Sequence, residues 1–199
     1  MKKHSALGAD RAKQTADRAK QTADRAKQTA DGAKQTADGA KQTTDGAKAW
    51  VGVVSRAHVA RGVAGGFAQV CHGKRAPLER MRAGDWLVYY SPSTEFRGGE
   101  PLRAFTALGR LLSETAYCYD MGNGFVPYRK DVAYAPPTQA APLESLRTQL
   151  HFIQRNPNWG MLARRGHFEI DVHDLELIAR ALGCNLQALP ASLRTAEAR

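Results

Sequence analysis

A seven-residue repeat, D-R-A-K-Q-T-A, opens at Asp10 and runs to about residue 49, and nothing in it is large enough to build a core. Ala12, Ala16, Ala19, Ala23, Ala26 and Ala30 recur at alternating spacings of four and three, the a/d seam of a coiled coil written in the smallest apolar side chain. Burial is worth about 25 cal/mol per Å², so an Ala seam cannot offset an ordering entropy of roughly 1–2 kcal/mol per residue. Gly32, Gly39 and Gly46 replace Arg as the repeat approaches its end, and each Gly costs a helix up to about 1 kcal/mol. The expectation for residues 1–48 is a low-complexity tail, solvated and transiently helical. Helix formation on a partner and a stable coiled coil are the alternatives. Near-perfect repetition points to tandem duplication. The folded core must therefore come from Trp50 onward.

What remains is enough for one domain: the chain has 199 residues, 43% of them hydrophobic. The net charge of +10 is divided evenly. Residues 1–49 hold eleven Lys/Arg against six Asp, an excess of +5, and the other 18 basic and 13 acidic residues supply the second +5. The balance favours polyanionic partners, but a folded part at +5 does not alone separate a nucleic-acid binder from an ordinary basic enzyme. Cys71, Cys118 and Cys184 are odd in number and lack C-x-x-C spacing, so neither a disulfide framework nor a zinc site is expected. No apolar run approaches the roughly 20 residues that span a bilayer, and Met1-Lys2-Lys3-His4 lacks a signal-peptide core. A cytoplasmic location without a membrane partner is expected.

"AWVGVVS", residues 49–55, reads as a buried strand, and "RAHVARGVAGG" as a short helix broken by its glycines. "FAQV" at 67–70 reads as a second short strand. Pro77 and Gly84 bracket a helical turn in "APLERMRAGD", after which "WLVYYS" forms a central strand. Longer strands follow at 103–114 and 125–134, parted by the turn-rich "DMGNG". Asp171 and Asp174 precede "LELIARAL" as an N-cap pair, Leu175, Ile178 and Leu182 share one face of that helix, and Gly183 ends it. Short strands punctuated by short helices imply an α+β fold around a small, mostly antiparallel sheet or barrel. Along "DWLVYYS" the two-residue period puts Trp86, Val88 and Tyr90 on one face and Leu87, Tyr89 and Ser91 on the other.

"WVGVVSRAHV", "GFAQVCHGKRAPLERMRAGDWLVYYSP", "FTALGR", "FVPYRKDVAY" and "NWGMLARRGHFEI" occur in an order that resembles the EVE domain, a PUA-like family related to the YTH and ASCH domains. The resemblance spans about Trp50 to Leu182 and leaves the tail without a counterpart. It implies a PUA-like β pseudo-barrel with flanking short helices over residues 49–183, a C-terminal extension at 184–199, and a pocket that accepts a modified base turned out of DNA or RNA. It implies pocket positions at Ser55 and Arg56, at Cys71, His72 and Gly73, and at Tyr89, Tyr90 and Ser91, with Trp50 and Trp159 as candidate aromatic walls. Candidate phosphate contacts are Lys74, Arg75, Arg129, Lys130, Arg164 and Arg165. A flipped base needs a flat ring to stack on and fixed donors and acceptors at its edge, because those contacts must offset a few kcal/mol of unstacking. Cys71 stands where a YTH-type reader has a cage tryptophan, which argues against a full aromatic cage.

Structural readings stand beside these. Trp86 is expected in the core, Tyr90 can cap a barrel, and Ser55 can cap the helix that follows it. Catalysis is not expected. As strand neighbours, Cys71 and His72 would point to opposite faces and could not activate a thiolate. The histidines show no metal spacing, and neither G-x-S-x-G nor a P-loop occurs. The sequence reads as a non-catalytic, cofactor-free nucleic-acid-binding module, with a monomer favoured. An accessory domain of a nucleotide- or small-molecule-processing enzyme and a protein-interaction module are the alternatives.

Overall fold

The structure, a computed structural model, describes residues 46–137 and 139–188; the expectations for the repeat and for most of the C-terminal extension lie outside the described residues. Chain order runs β1 (Ala49–Val53), α1 (Arg56–Gly65), β2 (Phe67–Ala68), a tight turn at Cys71–Gly73, α2 (Arg75–Glu79), β3 (Trp86–Ser93), β4 (Pro101–Leu111), β5 (Tyr117–Cys118) and β6 (Tyr128–Ala135). It continues with β7 (Ala141–Pro142), α3 (Leu143–Leu146), α4 (His151–Gln154), α5 (Gly160–Arg164), β8 (His167–Ile170), α6 (Val172–Leu182) and a final 3₁₀ turn at Leu186–Ala188.

The strands form one mixed sheet in the order β2-β6-β4-β3-β1-β8, with β5 on β6 and β7 on β4, curled into a half-barrel of the α+β, PUA-like kind. β3 is central. It pairs parallel with β1 and antiparallel with β4, and the parallel pair requires the crossover that α1 and α2 supply. Its two faces feed two cores, as its alternation predicts. Trp86, Val88 and Tyr90 join Val51, Phe168 and the Leu175, Ile178, Leu182 face of α6. Leu87 and Tyr89 join Trp50, Val59, Leu78, Met81 and Leu111 on the other side. The β3–β4 register slips between Tyr89/Ala107 and Tyr90/Phe105, leaving Thr106 as the extra residue of a bulge. Ser91, fully buried, bonds Thr106 there, Oγ to Oγ1 at 2.8 Å.

Helix ends follow their sequence signals at α6: the Asp171 side chain accepts from Asp174 N at 3.0 Å, and Gly183 closes the helix in the left-handed region. α1 differs from expectation, because Gly62 does not break it. A Cβ at 62 would lie 2.8 Å from the Phe67 carbonyl, so this Gly lets helix and returning chain pack closely, and Gly66 ends the helix instead. The short helices α3 to α5 were not anticipated, since four or five residues are too few to display a helical period. Among the described residues no helix is long and apolar enough to cross a membrane.

Candidate nucleic-acid interface

The end of β1, the start of α1, the turn after β2, the end of β3 and the α5–β8 connection surround an open cavity of about 660 Å³. Its walls carry Arg61, Lys74, Arg164 and Arg165, and no Asp or Glu among the described residues lines it. That arrangement favours an anionic ligand. Two phenyl rings stand at the cavity with large exposure: Phe96, at 67%, from the β3–β4 loop, and Phe125, at 46%, from the β5–β6 loop. His72 meets Phe96 edge-on at 5.6 Å.

The wall beneath is a hydrogen-bonded frame. Ser55 precedes α1 and its backbone oxygen accepts from His58 N and Val59 N, but its hydroxyl makes no capping bond. His58 Nε2 lies 3.0 Å from the Gln69 carbonyl oxygen. Gln69 N donates to the Tyr89 hydroxyl at 3.2 Å, and burial pushes the Tyr89 pKa up to about 12, so that hydroxyl stays protonated. Arg129 Nε donates to Gln69 Oε1 at 3.1 Å. Burial likewise lowers the His58 pKa below its ordinary value, which keeps the ring neutral at neutral pH.

The turn after β2 holds three successive residues in the left-handed region: Cys71 (φ 49°), His72 (φ 59°) and Gly73 (φ 76°). Only the third is a residue that adopts this conformation freely. A Cβ at Gly73 would also meet the Pro127 Cβ at 2.3 Å. Cys71 and His72 are therefore in a turn and not in the strand that the argument against thiolate activation supposes. Their separation survives for another reason: the Cys71 thiol donates to the Arg165 carbonyl at 3.5 Å while His72 packs on Phe96. Burial raises the Cys71 pKa, the opposite of what a nucleophilic thiolate needs.

Of the base-pocket candidates, Ser55, Cys71 and His72 line the cavity, and Gly73 shapes the turn beside them. Arg56, exposed at the start of α1, is not among its lining residues. Trp50, Tyr89, Tyr90 and Ser91 are buried away from it. Trp50 donates from Nε1 to Asp85 at 2.9 Å and stacks on His167 at 4.8 Å, while Tyr90 packs edge-on to Trp159 at 5.9 Å. Trp159, half-buried, rests against the α6 core and also meets Phe152 edge-on.

Among the phosphate candidates, Lys74, Arg164 and Arg165 reach the cavity. Arg75 pairs with Glu79 and lies over the Tyr128 ring. Arg129 is buried between the rings of Phe67 and Tyr119, and Lys130 is fully enclosed with Nζ on the carbonyl oxygens of Met81 and Glu114. The cavity also holds His58, Arg61, Gln69, Phe96 and Phe125, which are not among the sequence-based pocket or phosphate candidates. The "EFRGG" and "GNGF" stretches mark the two phenylalanines as loop aromatics, the one signal that was available.

His151 meets Asp171, His173 and Asp174 of the segment that opens α6, bringing potential metal-ligand atoms within 4.8 Å of one another. Their bonding explains the grouping without an ion. Asp174 accepts from His151 N and Phe152 N, and Asp171 accepts from Asp174 N, His151 Nδ1 and Arg155 Nη1, so the carboxylates clamp the starts of α4 and α6. The imidazoles stack at 3.9 Å with planes 12° apart, so their in-plane lone pairs run side by side and do not converge.

A family model described as EVE domain matches residues 48–181, and one described as Alanine-zipper, major outer membrane lipoprotein, matches residues 6–51. The chain is 47% identical over 140 residues to UPF0310 protein YdcG of Bacillus subtilis, covering 70% of this chain and 95% of that one. It is 52% identical over 124 residues to a UPF0310 protein of Streptococcus sanguinis, covering 61% and 83%. Among solved structures, Rpa0253 of Rhodopseudomonas palustris aligns with a TM-score of 0.44 at 16% identity, over 68% of this chain and 93% of that one. A protein from Leishmania major aligns with a TM-score of 0.47 at 13% identity, over 71% and 98%.

Proposed function

Because the chain belongs to the EVE domain family, which is broadly nucleic-acid-binding, we propose that it is a non-catalytic reader of a modified base in DNA or RNA, turned out of the strand into the cavity beside the Cys71–Gly73 turn. The cavity itself carries the reading: about 660 Å³ of open space with, among the described residues, four cationic side chains, no acidic one, and two exposed phenyl rings. Phosphates pair with Arg61, Lys74, Arg164 and Arg165, while a base stacks on Phe96 or Phe125, a contact worth about 1–3 kcal/mol. The aromatic walls that the resemblance implies, Trp50 and Trp159, are not among the residues that line the cavity.

Reading without turnover is supported by the Cys71 thiol, whose donation to a carbonyl and raised pKa suit a structural role. The test is fluorescence anisotropy of the full chain with single strands that differ at one central nucleotide: unmodified, modified, or abasic. At least one modified base is expected to bind about tenfold more tightly than its unmodified counterpart and to be recovered unchanged. Equal affinity for every strand, abasic included, would remove the base-reading role.

A further inference from the structure

Gln69 has its backbone groups and its side-chain oxygen bonded to the protein. Its N–H donates to the Tyr89 hydroxyl at 3.2 Å, and its carbonyl oxygen accepts from that hydroxyl at 3.4 Å and lies 3.0 Å from His58 Nε2. Its side-chain Oε1 accepts from Arg129 Nε at 3.1 Å. A guanidinium has no acceptor, so Arg129 decides which way the amide faces: the oxygen turns to Arg129, and Nε2 is left as a pure donor. Arg129 is fixed in turn. It is buried, with its guanidinium carbon 3.7 Å from the ring centroids of both Phe67 and Tyr119.

The same reasoning settles His58. A carbonyl oxygen only accepts, so Nε2 carries the proton in that bond and Nδ1 carries the lone pair. Burial holds the ring neutral at neutral pH, so the lone pair persists. Both residues line the cavity, and they are tied to each other through the Gln69 carbonyl.

We propose that His58 Nδ1 and Gln69 Nε2 act as an acceptor–donor pair that reads the edge of the bound base, selecting an edge with one donor beside one acceptor, and that Arg129 is the positioning residue that sets this polarity. The proposal rests on the base-pocket reading above. On the Hoogsteen edge adenine, with its N6 amine beside N7, matches this pair, whereas guanine's N7 and O6 are two acceptors, one of which would face the His58 lone pair. A mismatched edge leaves a desolvated polar group without a partner, which is why discrimination by such a pair is steep.

The test measures the full chain against single strands with a central adenine, cytosine, guanine, thymine, N6-methyladenine, 5-methylcytosine, 5-hydroxymethylcytosine or abasic site. Wild type is expected to rank these bases. Gln69→Glu, which replaces the donor by an acceptor, and His58→Phe should each weaken the top-ranked strand at least about tenfold while abasic binding stays within about twofold. Arg129→Met should shrink the ratio between top-ranked and abasic strands without changing abasic affinity, a result that general loosening of the fold would not give. Retention of the wild-type ranking by Gln69→Glu or His58→Phe, each folded by circular dichroism, overturns the edge assignment and leaves the pocket standing. Wild type binding the abasic strand as tightly as all the others overturns both. Because Arg129 is packed in the protein, the two cavity-lining variants decide the outcome if Arg129→Met does not fold.

Discussion

His167 meets the demands of burial by staying neutral. It is 4% exposed on β8, stacked on Trp50, and neither ring nitrogen has a hydrogen-bond partner among the described residues. Desolvation, with a smaller contribution from Arg80, lowers its pKa to about 4. A lowered folded-state pKa means that the unfolded chain binds the extra proton first. Stability from this group is therefore fully present above about pH 6.5 and is lost as pH falls toward 4. The shift corresponds to roughly 3 kcal/mol. Urea melts at pH 7 and pH 4.5 should show a drop that is much smaller in His167→Phe, where the stacked ring remains but nothing titrates. An identical drop in the two proteins would locate the acid sensitivity elsewhere.

At the scale of the element, β3 divides its residues between two cores, and its tyrosines are structural on both sides. Tyr90 packs against Phe105 and Trp159 at 5.6 and 5.9 Å between centroids. Tyr90→Ala is expected to cost about 3–5 kcal/mol of unfolding free energy, the range for removing a large aromatic from a core. Calorimetry checks this, and a loss below about 1 kcal/mol would mean the ring is not part of the packing. The alternation of β3 was legible in the sequence because a period of two survives any tertiary arrangement, and the caps of α6 were legible because they are local. The cavity wall was not. Gln69 and Arg129 are sixty positions apart and meet only through the β2–β6 pairing, and Phe96 and Phe125 sit in loops that carry no period. Of the positions the resemblance implies, Ser55, Cys71 and His72 line the cavity, whereas Trp50, Tyr89 and Tyr90 pack inward from the sheet and Trp159 rests against the core.

For the molecule as a whole, the charge has two locations, and they separate by experiment. Arg164 and Arg165 lie at the cavity, so Arg164→Ala and Arg165→Ala should each reduce the slope of log affinity against log salt by about one, weakening modified and unmodified strands alike. A selective loss for the modified strand would make that arginine a base contact. Deleting residues 1–45 removes +4 of the +10 net charge but no large apolar side chain other than Met1 and Leu7. The unfolding midpoint should stay within about 2 °C of the full chain, since no sizeable apolar surface is lost. Nucleic-acid binding should weaken and persist. Complete loss of binding would assign the contact to the repeat.

The turn at Cys71–Gly73 bears on how a ligand is received. Its left-handed backbone is fixed by Pro127 lying against Gly73, where even a methyl group has no room, and by the Cys71 thiol bonded to the α5–β8 connection. The surface beside the cavity is thus ordered when the chain folds, before any ligand arrives. Association then carries little of the entropic penalty of immobilising a loop, and more of each contact's free energy appears as affinity.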